Sequence, residues 1–254
     1  MRRHSSMSDF NHDLRLVVRP HRRVDGRLVG LTAPRSFEAD QYRILKHRLD
    51  RQAGGTLRTI AITSASVGEG KTITAINLAA AYAQTPEIRT LLVDADLRRP
   101  AVVRRLGLDP SAHAGLSELL ARPDTPIDTV VGRWLDQNLW ILPAGRCPDD
   151  PYRLLESSAL PELIAELARR FDRVVFDLPP VLPVLDGRLV SRWVDGVLLV
   201  VAAKRTPKRL VEEATRVVEP ERLLGLVLHE DDQMPAHPYL YSRRDGRPKE
   251  ESRP

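Results

Sequence analysis

Residues 59–83 read TIAITSASVGEGKTITAINLAAAYA. The stretch passes from a β-branched run through a glycine loop into an amphipathic helical segment, the strand–loop–helix context of a phosphate-binding loop. Gly68 and Gly70 allow backbone conformations that aim successive N–H groups at phosphate oxygens, and the start of the following helix adds its positive dipole end. Lys71 supplies a point charge to the β and γ phosphates, and Thr72 a hydroxyl ligand for Mg2+. Ser66, Val67, Gly68, Glu69, Gly70, Lys71, Thr72 and Ile73 are therefore expected around the nucleotide, with ATP and Mg2+ as cofactors. Ala65 stands where the commonest form of the motif has its first glycine.

Downstream, LLVDADLRRP (91–100) places Asp94 and Asp96 at the carboxyl end of a second apolar run, where ligands bind in open α/β sheets. Two residues apart on an extended strand, they project to one side. They can hold a metal through water and accept a proton from an attacking hydroxyl. The alternative for Asp96 is capping of a helix that begins near Pro100. RVVFDLPPVLPVLDG (173–187) is another apolar run ending in an acid, Asp177, where a P-loop enzyme keeps its second metal-orienting carboxylate. Its alternative is a turn aspartate before two prolines. Asp186 reads as a helix cap rather than a metal ligand. Lys71, Asp94, Asp96 and Asp177 are the expected catalytic set, and Thr72, Asp94 and Asp177 the expected metal ligands.

Further outward, short apolar runs at 59–63, 90–93, 139–142, 173–176, 197–201 and 224–228 alternate with helix-compatible segments at 37–52, 72–84, 101–106, 116–121, 159–170, 185–193 and 210–218. That alternation predicts a three-layer, doubly wound α/β domain with a mostly parallel sheet. Residues 1–34 read as a basic leader, 35–229 as the ATPase domain and 230–254 as a charged, proline-rich C-terminal tail.

The composition, 42% hydrophobic and 29% charged over 254 residues, fits one such domain with polar ends. The longest apolar run, 197–203, is far below the roughly 20 residues of a membrane-spanning helix. The start, MRRHSSMSDF, lacks the apolar stretch of a secretory signal, so a cytoplasmic location is expected. Cys147, the sole cysteine, excludes an internal disulfide framework and a multi-cysteine metal site. The net charge of +5 is spread over arginines without interleaved aromatics, so no nucleic acid partner is expected. The basic leader suits acidic lipid head groups instead.

With these residues in place, positions 29–228 resemble the bacterial tyrosine kinases of capsule and exopolysaccharide assembly. ASVGEGKT looks like that family's first nucleotide motif, VDADLRRP its second and FDLPPVLPVLD its third; GLSELL, ILPAGRCPDDPYRLLES, DGVLLVV and LLGLVLH look familiar too. The resemblance implies the fold of the ParA/MinD-like ATPases, a deviant-Walker (SIMIBI) P-loop NTPase. No lysine lies between Ser64 and Gly70, which favours the kinase branch over the partition or division-site branch. His229 falls where relatives often carry an asparagine near the base. EADQYRILKHR resembles the helix through which family members pack into rings, with Asp40, Arg43 and Lys46 at the interface positions. The other reading of that segment is an amphipathic helix with a solvated charged face.

The family phosphorylates tyrosines in its own C-terminal tail, and this tail offers Tyr239 and Tyr241. A phenol with pKa near 10 needs an aligned γ-phosphate and a base such as Asp94. The resemblance further implies a homo-oligomeric ring and a membrane-embedded polysaccharide chain-length (co-polymerase) partner, which would recruit the chain to the inner face of the cell membrane. A non-kinase ATPase switch or scaffold in the same apparatus is the alternative, and a DNA-bound partition ATPase a more distant one.

Overall fold

The computed structural model describes residues 17–52, 54–109, 114–135 and 137–229. Its strands are β1 (Val17–Val18), β2 (Thr59–Ser64), β3 (Thr90–Asp94), β4 (Gly132–Trp134), β5 (Leu139–Leu142), β6 (Arg173–Asp177), β7 (Gly196–Ala202) and β8 (Leu223–His229). The helices are α1 (Val29–Thr32), α2 (Phe37–Gln52), α3 (Lys71–Ala83), α4 (Val102–Arg105), α5 (Leu116–Ala121), α6 (Pro151–Leu155), α7 (Ala159–Arg170), α8 (Asp186–Ser191) and α9 (Lys208–Val217). The strands form one sheet in the order β1-β4-β5-β3-β6-β2-β7-β8, with every neighbouring pair parallel except β4 and β5.

The central strands are apolar on both faces because both faces are covered. Ile60, Ile62, Leu92, Val175, Leu198 and Val200 point into one core with α3 and α4, while Ala61, Leu91, Val93, Val174, Phe176 and Leu199 point into the other with α5, α7 and α8. This period-two partition gives the expected three layers. Helix α3 lies in the middle of its layer, with every residue from Lys71 to Tyr82 buried. Its run of small residues, Ala79 to Ala81, lets the backbone of α1 approach: a Cβ added at Gly30 would sit 2.9 Å from the Ala80 Cβ.

The folded domain begins well before residue 35. Val17 and Val18 pair with Arg133 and Trp134, so the leader contributes a strand. His21 N and Arg22 N donate to the Gly107 carbonyl and Asp25 N to that of Arg105, satisfying carbonyls that the end of α4 leaves open. Leu28 is fully buried. The buried Asn77 side chain of α3 accepts from Gly30 N and donates to Arg27 O, each at 2.9 Å. A two-residue strand and a one-turn helix among arginines carry too few residues for a periodic signal, which is why 17–34 reads as a tail. Among the described residues, no helix is long and apolar enough to cross a membrane.

Candidate active site

Strand β6 is inserted between β2 and β3, so three carboxyl-terminal strand ends meet. Asp177 is in register with Ile62 on one side and with Asp94 on the other. The loop leaving β2 is then stitched to the segment leaving β6: Thr63 Oγ1 donates to Pro179 O at 2.7 Å and Val181 N to Ser64 O at 2.9 Å. Gly68 and Gly70 adopt φ of +84° and +95°, which side chains rarely tolerate. Space excludes one at Gly70 as well, because an added Cβ would lie 2.2 Å from the His229 ring. Ala65 is buried in the core beneath the loop, so its methyl packs where the commonest motif has glycine.

Lys71 Nζ lies 2.9 Å from Asp96 Oδ2 and 3.5 Å from Asp177 Oδ1. Thr72 Oγ1 donates to Asp177 Oδ2 at 2.6 Å. Asp94 sits behind this group: Oδ2 accepts from Ala101 N and Val102 N at 3.0 Å and Oδ1 from Asp96 N at 3.3 Å. The cap of α4 is therefore Asp94, while Asp96 spends its Oδ1 on Arg99 N. Three buried carboxylates face one lysine. Burial, then the charge of Asp177, pushes Asp94 up to about 7. Burial raises Asp177 as well, against the pull of Lys71 and Thr72. For Lys71, burial works against the charge, but the aspartates together outweigh it and its pKa rises.

This excess of negative charge suits a hard divalent cation. Asp177 Oδ1 is buried without a hydrogen-bond partner among the described residues, and the donors offered are a hydroxyl and carboxylates, the oxygen set that Mg2+ prefers. The described residues form no ready-made cluster of three metal-binding side chains. Mg2+ ordinarily keeps several waters and takes further ligands from phosphate.

Three contacts escaped the sequence reading. Asp186 does not cap α8; it is buried and takes a forked pair from Arg98, Nε at 2.7 Å and Nη2 at 3.1 Å. Glu69 turns inward: its carboxylate accepts from Ser66 N at 3.1 Å and from Thr206 Oγ1 at 2.6 Å, bracing the loop against the segment after β7. Asp25 joins Arg27 and Arg105. The pairings of Arg98 with Asp186, Thr206 with Glu69 and Arg105 with Asp25 join residues far apart in the chain and have no spacing signature.

A family model described as AAA domain matches residues 57–206. Tyrosine-protein kinase YwqD of Bacillus subtilis (strain 168) is 32% identical over 214 residues, covering 82% of this chain and 87% of that protein. The succinoglycan biosynthesis transport protein ExoP of Rhizobium meliloti (strain 1021) is 39% identical over 210 residues, which make up 79% of this chain and 26% of that protein. The kinase domain of Escherichia coli tyrosine kinase ETK superposes with a TM-score of 0.72 at 26% identity, covering 85% of each chain. The chain is a bacterial tyrosine kinase.

The kinase's P-loop opens into a cavity of about 500 Å3, lined by Val67, Gly68, Gly70, Lys71, Thr72 and Ile73 on one side and by Asp96, arginines and prolines on the other. Ser66 and Glu69 shape the loop from beneath, while Asp94 and Asp177 stand behind it. Tyr239 and Tyr241 lie outside the described residues. Asp40 and Arg43 pair with each other; Arg43 Nε also donates to Gln84 Oε1 at 2.9 Å, and Lys46 donates to Thr85 Oγ1 beside the Tyr82 ring. Arg43 and Lys46 are thus engaged with the end of α3, and Asp40 with Arg43.

Proposed function

We propose that this kinase transfers the γ-phosphoryl group of Mg-ATP to protein tyrosines, Tyr239 and Tyr241 of its own tail among them, and thereby regulates exopolysaccharide or capsule polymerisation and export. The observation that carries the reading is the meeting of Lys71, Thr72, Asp96 and Asp177 at one end of the sheet. The loop N–H groups and Lys71 bind and orient the phosphates. Thr72 and Asp177, with Asp94 behind them, would hold Mg2+. When bound, the ion neutralises charge on the transferring group.

Phosphates drawing Lys71 toward themselves release Asp96, which lines the cavity while Asp94 does not. Asp96 then accepts the phenolic proton as the tyrosine oxygen bonds to the γ-phosphorus. The bond from that phosphorus to the bridging oxygen breaks, and ADP leaves. Asp94, held by three backbone N–H groups, keeps α4 in place.

The relative ExoP, named for succinoglycan biosynthesis and transport, supports a link to a polysaccharide apparatus at the membrane. This chain supplies the kinase, and a separate membrane-embedded co-polymerase recruits it to the inner face of the membrane. Self-association through Asp40, Arg43 and Lys46 into a ring, and contact of the basic leader with acidic lipids, complete the proposal. The test is incubation with Mg-ATP, with and without the cytoplasmic segment of such a partner, followed by phosphotyrosine mapping beside Lys71→Ala. Phosphate on tyrosine only in the unmutated protein is expected. Nucleotide turnover without phosphotyrosine, with the partner bound, would make the chain a nucleotide switch instead.

A further inference from the structure

The wall of the cavity opposite the phosphate loop carries Arg27, Arg98, Arg99, Arg104 and Arg105, with Asp96 the one acid among the described lining residues. Three of these arginines are held by acids: Arg98 by Asp186, and Arg27 and Arg105 by Asp25. Arg99 and Arg104 are exposed, and among the described residues their side chains have no hydrogen-bond or ion-pair partner. Two forked cations thus stand beside the cavity with no acid of the described residues paired to them.

Their place in the chain separates them from the phosphate loop. The loop and Lys71 approach from the β2–α3 side, whereas Arg99 and Arg104 follow β3. Asp96 stands between, with Oδ2 toward Lys71 and Oδ1 on Arg99 N. An acceptor hydroxyl attacks in line, on the side of the phosphorus away from the leaving group. The side of Asp96 away from Lys71 is therefore the acceptor side. Pro179, Pro180, Pro183 and Val184 line the same cavity and offer an apolar wall for an aromatic ring.

We infer that Arg99 and Arg104 select the acceptor, binding carboxylates that flank the target tyrosine. This rests on the kinase reading above and names its substrate class: tyrosines in acidic peptide segments. A planar guanidinium matches a carboxylate with two parallel hydrogen bonds, which lysine cannot do. The chain's own tail carries acids on both sides of its two tyrosines, with Arg243 and Arg244 close behind Tyr241. His229 lines the cavity against Gly70, and the sequence that follows it begins Glu230-Asp231-Asp232 ahead of Tyr239 and Tyr241.

The test uses the full chain with ADP and Mg2+ and two fluorescein-labelled peptides. Both carry phenylalanine in place of tyrosine; one is flanked by glutamates and the other by glutamines. Anisotropy should show binding of the glutamate peptide about tenfold tighter, with the preference fading as salt rises. Arg99→Gln/Arg104→Gln should abolish the preference while leaving ADP affinity as it was, and Arg99→Lys/Arg104→Lys should restore part of it. Equal binding of the two peptides by the unmutated chain would overturn the inference. So would a double variant that loses ADP affinity and keeps the preference, since the arginines would then serve the nucleotide. Tyrosine versions of the peptides separate the two readings: charge-selective binding without phosphotyrosine defeats the kinase reading alone, and phosphorylation indifferent to charge defeats this one alone.

Discussion

Asp94 and Asp177 face each other in register across the β3–β6 ladder, and neither is exposed to solvent. Both carboxyls are held above their ordinary value of 3.8, Asp94 at about 7, by burial first, then by the charge of Asp177 on Asp94 and of Asp96 on Asp177. A carboxyl whose pKa is higher folded than unfolded contributes stability that is whole below the unfolded value and lost as pH rises through the folded one. Without nucleotide, the melting temperature should therefore climb as pH is lowered from about 8 toward 5. Asp94→Asn should flatten that climb, and Mg2+ at high pH should offset the loss. Parallel melting profiles for the two proteins would remove the carboxyl pair as the cause.

At the acid end the sign reverses. Arg27, and then Arg105, hold Asp25 well below the usual carboxylate range, against the opposing effect of burial. Its contribution is present above the unfolded value and disappears as pH falls through the folded one. Asp25→Asn should lose stability at neutral pH and be less sensitive to further acidification than the unmutated chain, as urea unfolding at a series of pH values can establish.

Arg98 reaches from the second motif to the third. Its loss in Arg98→Ala leaves the buried Asp186 carboxylate without its forked partner, at a cost of about 2 kcal/mol given that Arg98 itself is partly exposed. Arg98→Lys should recover only part of this, since a point charge cannot make both bonds. A double-mutant cycle with Asp186→Ala reads the coupling; additive effects would mean that the pair is not energetically connected.

Asn77 ties the leader to α3. Asn77→Ala removes the acceptor of the buried Gly30 N and the donor to Arg27 O, and should destabilise the domain by about 2 kcal/mol. Hydrogen exchange should rise at the amides of Arg27 to Gly30 more than in the central strands. Unchanged protection there would mean that the leader does not depend on this contact.

The Glu69 brace predicts a split between affinity and stability. Glu69→Ala frees the loop from Thr206 and Ser66, so nucleotide affinity should fall about tenfold while the unfolding midpoint moves little. Thr206→Val should reproduce a smaller share of that loss. Isothermal titration with ADP and chemical unfolding provide the two measurements.

Much of the secondary structure was legible. The helices Phe37–Gln52, Leu116–Ala121 and Ala159–Arg170 and the strand Leu139–Leu142 occur with the bounds that periodicity assigns, and the loop after Thr59–Ser64 lies between strand and helix as its glycines require. Helix α6 was missed although a signal was present: Asp150 accepts from Arg153 N at 3.2 Å, and Pro151 takes the first helical position. The leader was missed for the opposite reason, since Val17–Val18 and Val29–Thr32 acquire structure only from the β4 strand and α3 helix they contact.

What the amino-acid sequence determined by itself is local: which residues are strands and helices, where glycine bends the phosphate loop, and that Lys71, Thr72 and three aspartates belong to one chemistry. Short-range geometry and side-chain type suffice for that. Tertiary structure alone decided that β6 lies between β2 and β3, which sets Asp177 against Thr72 and Lys71. It alone assigned the α4 cap to Asp94, gave Arg98 to Asp186, and left the Arg99 and Arg104 side chains without partners among the described residues. Strand order and side-chain pairing depend on the packing of segments far apart in the chain, and no local spacing encodes which buried acid an arginine will reach.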